Sequence, residues 1–211
     1  MITRTALANR ALAHLGEEGI SDIDDITSAK ARICKEFAGD VIDEVLRLHR
    51  WNCAIDRTTL SRLSAAPDHG FAHAYQLPAD FIRLLELNGE QFDGSSEFLE
   101  IEAGQRLLTD DDTAEIRYVK RIDVHEFDPL LAKAVALALA VEIAIPLTKD
   151  SRKREALEGA LLRAIGRAAK IDALETGARE NRPLGRLLAS SPLIASRGLR
   201  ANPDPLRYRL P

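Results

Sequence analysis

The chain has 211 residues, 45% hydrophobic and 29% charged, with two cysteines and a net charge of −4. That describes one globular domain, or one with an appendage, able to bury about 70% of its unfolded surface without disulfides or metal. A disulfide-framed secreted scaffold, a collagen-like chain and a wholly disordered chain are excluded, and Cys34 and Cys53 read as free thiols in a reducing compartment.

The first six residues lack the charged-then-apolar layout of a secretory signal. Residues 3–15 read as a helix with Leu7, Ala11 and Leu15 on one stripe and Gly16 as its stop. A loop over 16–27 follows, and a long helix starts with Thr27 or Ser28 as N-cap and runs to about His49. Its row Ala29, Ile33, Phe37, Val41, Val45 and the adjacent row Cys34, Ala38, Ile42, Leu46 predict a broad buried face. After Trp51 the periodicity becomes that of strands. Residues 54–63 and 75–77 are short extended candidates, and 82–87 form an apolar strand ending in the turn dipeptide Asn88-Gly89. Phe98, Leu99 and Ile101 pair with 106–109 around Ala103-Gly104, and 115–121 alternates as a half-buried strand does. Asp128 as N-cap and Pro129 at the first position reopen the helices.

Residues 130–147 are apolar nearly all round and should form the central helix. Lys133, Glu142 and Pro146 interrupt the run, so no membrane span is expected. Asp150 or Ser151 caps a last helix to about Thr176, with Leu157, Leu161, Ile165, Ala168 and 171–173 inward. The expected fold is α+β and mainly α. A helical bundle of antiparallel type, from residues 1–53 and 123–180, carries one small antiparallel sheet inserted at 54–122, and an extended arm follows over 181–211.

That arm holds six arginines (Arg182, Arg186, Arg197, Arg200, Arg207, Arg209) against one acid, Asp204, a net +5, which leaves −9 for residues 1–180. Five of the nine prolines also lie there. An acidic body argues against nucleic-acid binding as the main task, because neutralising phosphates needs a basic face. The arm carries Leu184, Leu187, Leu188, Leu193, Ile194 and Leu199, too apolar for a pure spacer, and reads as a segment that lies on an acidic partner.

Chemical motifs are sparse. There is no dinucleotide or P-loop glycine pattern, no CxxC pair and no HExxH, so no cofactor or metal is indicated. His69 and His73 read as exposed loop histidines, and His49 and Cys53 flanking Trp51 read as packing. Asp110-Asp111-Asp112 reads as a solvated turn. Glu97, Glu100 and Glu102 offer a carboxylate pair of the kind a glycosidase needs, with Glu100 and Glu102 on one strand face, though exposed strand acids share a face routinely.

Four features in order are more particular. They are Ala-Leu-Ala-His-Leu-Gly at 11–16, Leu-x-x-x-x-Trp-Asn-x-Ala ending at Ala54, Tyr75-Gln76-Leu77-Pro78-Ala79-Asp80 followed by Arg83, and Phe127-Asp128-Pro129. With them the chain, from Ala6 to about Glu175, resembles the tail tubular protein A family, the head-to-tail adaptors of short-tailed bacteriophages. It departs at Cys53, where the family usually has an aromatic, and in the arm. The resemblance implies a non-enzymatic virion protein, made in the host cytoplasm. It would form a ring of twelve copies between portal and tail nozzle, with DNA only as transiting cargo and no membrane. Arg182, Arg186, Leu187, Arg197, Arg200, Arg207 and Arg209 are then expected to touch the portal or a neighbouring subunit. The competing expectations are a virion-associated polysaccharide or cell-wall hydrolase, resting on the acidic residues above, and a helical DNA-binding regulator.

Overall fold

The computed structural model describes residues 2–92, 97–103 and 105–176; the arm at 181–211 and its seven expected contact residues lie outside the described residues. The described residues hold four α-helices and two antiparallel four-stranded sheets, a mixed α and β fold. Met1–Asp172 form one compact unit, and a second begins at Ala173.

Helix α1 (Arg4–Leu15) starts where the Thr3 hydroxyl accepts the Ala6 N–H and stops at Gly16, whose φ of 72° lets its N–H turn back to Leu12 and Ala13. The following loop is tied down by one side chain. Asn9 donates to the Ile20 carbonyl at 2.9 Å and accepts the Ile20 N–H at 2.7 Å, so Ile20 and Ile23 are buried.

Helix α2 (Ala29–Leu48) takes Ser28 as its N-cap. Its buried line is Ala31, Cys34, Val41, Val45 and Leu46, whereas Ala29 is exposed and Ile33, Phe37 and Ile42 are half-buried. The expected broad face is thus narrower. Steps of four drift about 40° each around the cylinder, and only a mixture of threes and fours stays on one side.

Helix α3 (Pro129–Thr148) opens as expected, with the Asp128 carboxylate accepting the Leu130 and Leu131 N–H groups. One expectation is corrected here: α3 is long and apolar enough to cross a membrane by length and composition. Its apolar surface is instead covered by α1 and α2, and residues 134–141 are all buried. Helix α4 (Ser151–Thr176) is capped by Asp150, which accepts from the Arg152 and Lys153 N–H groups. Leu157 and Ala168 are buried and Leu161 and Ile165 pack partly buried against the core, as expected; within 171–173 the polar Asp172 is buried, whereas Ile171 is 38% exposed.

The strands are β1 (Ile55–Thr59), β2 (Ser61–Arg62), β3 (His73–Gln76), β4 (Phe81–Leu87), β5 (Glu90–Gln91), β6 (Leu99–Glu102), β7 (Arg106–Thr109) and β8 (Glu115–Lys120). The single expected sheet is two, ordered β1-β8-β4-β5 and β2-β3-β7-β6. The extended run 54–63 breaks at Leu60, whose N–H bonds the Ala114 carbonyl, and β2 leaves for the second sheet. Asn88-Gly89 makes the two-residue β4–β5 hairpin, with positive φ at both residues.

Strand β8 lies between β1 and β4, and both its faces are covered. Ile116 and Tyr118 pack with Leu84, Leu87, Tyr75 and Leu107 between the sheets, while Val119, Ile82 and Leu85 join the helical core. The expected half-buried alternation therefore becomes burial on both sides, and Arg117 is only 8% exposed.

Candidate functional site

The motif residues sit at the joints between helices and sheets. Trp51 is fully buried and donates its indole N–H to the Val45 carbonyl at 2.8 Å, so it satisfies one of the last-turn acceptors of α2. His49 packs edge-on against it at 4.9 Å. Cys53 donates its thiol to Asp128 at 3.2 Å, and burial pushes that thiol up to about 12. His49 and Cys53 thus go to different partners and form no reactive pair.

Tyr75 and Leu77 are buried, with the Tyr75 hydroxyl on the Asp111 carbonyl at 2.7 Å. Pro78 starts the turn into β4, closed by the Phe81 N–H on the Pro78 carbonyl. Asp80 ties the turn to β8 and the residue after it. Its carboxylate accepts the Tyr118 hydroxyl at 3.2 Å, and its carbonyl accepts the Arg121 N–H. Burial, then the Asp80 charge, pushes the Tyr118 phenol up to about 12. These residues fix the path of the chain and carry no reactive group in a working state.

Arg83 leads to a feature that sequence reasoning missed. Residues paired across antiparallel strands share a face, as do residues two apart on one strand. Arg57 pairs with Arg117, Arg117 with Glu86, and Arg83 with Val119. Because Val119 packs in the helical core, all four of those charged side chains lie on the helix-facing side of the first sheet. The C-terminal end of α2 meets them there. Arg47 donates to the Ile82 carbonyl at 3.0 Å, Arg50 follows, and His49 bonds Asp172 at 2.5 Å.

Among the described residues, Glu86 holds Arg117 at 2.9 Å and Asp172 holds His49 at 2.5 Å beside this group of arginines. Burial and the neighbouring Arg50 and Arg47 hold Arg83 below the usual arginine range, and burial and Arg117 do the same to Arg50. The Arg83 Nε is buried without an acceptor. Neither Arg50 nor Arg83 makes a side-chain hydrogen bond or ion pair with another described residue. No linear pattern signals this layer, because it is assembled from α2, β1, β4 and β8 by strand order alone.

The remaining candidates disperse. His69 is exposed, but His73 is on β3, with its side chain 14% exposed and its Nε2 3.2 Å from Asp112, so it is not the loop residue expected. The aspartates at 110–112 form a turn that also organises its surroundings. Asp110 accepts the Ala72 N–H, and Asp111 accepts from Asn88. Glu100 and Glu102 are exposed on β6, and Glu102 lies 3.9 Å from Arg106 at the edge of a recess of about 250 Å³ whose one carboxylate it is. Among the described residues no group of three His, Cys, Asp or Glu is placed to hold a metal ion.

No protein-family model matches the chain, and no curated protein matches it.

Proposed function

We propose that this chain is a structural virion protein, a head-to-tail adaptor similar to tail tubular protein A, which forms a ring between portal and tail nozzle and a channel for DNA. What supports the reading is the placement of the motif residues. Trp51, Tyr75 and Leu77 are buried, Asp80 ties β4 to β8, and Asp128 caps α3. A pattern made of joints is what a shared fold would leave in a sequence, in contrast to the convergent reactive groups of an enzyme.

In this reading residues 1–53 and 123–180 form the helical bundle and 54–122 an inserted β unit. In support, α1 and α2 both pack on α3, and every described strand falls between α2 and α3 in the chain. The acidic body flanks a channel in which DNA phosphates are repelled and slide. A cyclic ring needs two different complementary faces on each subunit, and the basic arm folds against the portal or a neighbour.

Co-expression with the portal protein of the same genome, followed by negative-stain imaging and mass measurement, tests this. A ring stacked on the portal, with a mass giving about twelve copies, is expected. Intact portal rings with nothing bound would overturn it.

A further inference from the structure

We propose that the arginine layer is one half of the contact between copies of this chain, and that the acidic ridge of α2 on the next copy is the other half. The ridge is Glu36, Asp40 and Glu44, spaced by four so that each neighbours the next on the helix surface, in a row that winds gradually around α2 over about 12 Å. All three are exposed, and none is ion-paired with a described residue. Like charges at this spacing repel one another, so the ridge is unfavourable in a lone subunit and is relieved by a cationic surface.

The arginine layer offers the complementary charge. Arg47 and Arg57 are exposed at its edge, Arg50 lies half-buried with the Glu86 charge nearby, and the half-buried Arg83 has no acceptor at its Nε. Arg117 is only 8% exposed, so the accessible part of the layer is its edge, Arg47 at the end of α2 and Arg57 on β1. Planar guanidiniums in a water-poor site bind carboxylates in a forked, directional way, so the fit sets register as well as attraction.

Ridge and layer are different surfaces of one subunit, so their pairing is head-to-tail. Only the closing of such contacts into a ring rests on the adaptor reading; the contact itself does not. Duplex DNA is the less favoured occupant, because residues 1–180 carry −9 and repel a polyanion at long range.

The test mixes two crippled copies. One carries Arg50→Gln and Arg83→Gln and keeps its ridge; the other carries Glu36→Gln, Asp40→Asn and Glu44→Gln and keeps its arginine layer. Thermal melts by circular dichroism check that each folds. Where the half-buried substitutions unfold the first copy, Arg47→Gln with Arg57→Gln, both at exposed positions, replaces them. Sedimentation velocity at low salt and several hundred micromolar is expected to show each variant alone as a monomer. The mixture should give a one-to-one dimer that falls apart in about 0.5 M salt. A mixture that remains monomeric overturns the contact and leaves the portal co-expression result untouched. Retained association of either variant with itself overturns it as well. A layer-intact copy that binds a short DNA duplex or inorganic phosphate, in a mixture without dimer, assigns the arginines to phosphate instead.

Discussion

Asn88 shows how much a single position can be asked to do. Its φ of 49° lies in the left-handed region, and its side chain donates to Asp111 and the Thr113 carbonyl while accepting the Glu115 N–H. The two demands separate by substitution. Asn88→Gly keeps the turn and loses the bonds, at a cost of about 1–2 kcal/mol, while Asn88→Ala loses both and costs about 1 kcal/mol more. Urea denaturation of the two variants checks this ordering; equal costs would mean that the backbone conformation contributes nothing. His49 gives a pH dependence of definite sign. Burial and the Arg83 and Arg50 charges hold its imidazole below the ordinary 6.5, against the opposing pull of Asp172. The unfolded chain then takes up the proton first, so the contribution of His49 is complete above about pH 6.5 and is lost as pH falls through its folded value. His14 acts in the same direction, lowered by burial and by Lys133. Stability measured in urea between pH 8 and 5 should fall on the acid side, and His49→Gln should flatten the fall.

At the scale of elements, the start of α3 joins packing, capping and thiol chemistry at one carboxylate. Asp128 caps Leu130 and Leu131 and accepts the Cys53 thiol. Asp128→Ala should cost about 1–2 kcal/mol, and Asp128→Asn, which keeps an acceptor for the cap, should recover most of it. Chemical denaturation of both variants measures this. The helices were legible in the sequence because their ends are written locally: Ser28, Asp128, Asp150 and Gly16 each act within three or four residues of their own position. The strands were legible as segments for the same reason, down to the Asn88-Gly89 hairpin. Their division into two sheets was not, because it turns on Leu60, an apolar residue in a continuous extended run with nothing local to mark the break. The arginine layer was hidden at one further remove. Arg57, Arg83 and Arg117 share a face only because β8 sits between β1 and β4 and because β4 shifts register between Leu84 and Glu86.

At the scale of the whole molecule, charge is segregated along the chain: −9 over residues 1–180 and +5 over 181–211. Among the described residues the hydrophobic clusters draw on α1 to α4 and both sheets and end at Ala168. On the reading that the arm serves docking, folding and docking should come apart on truncation. Deleting 181–211 is expected to move the melting temperature by no more than about 2 °C, since surface changes remote from a core are worth about 0.5 kcal/mol or less. The same deletion takes the formal charge from −4 to −9 and should abolish capture by the portal in a pull-down from co-expressing cells. Capture at the wild-type level would remove the arm from the interface and leave the arginine layer and the α2 ridge as the charged faces through which a ring could form. A large drop in melting temperature would mean instead that the arm completes the fold, and its arginines would then have to be satisfied within the subunit by the acidic body.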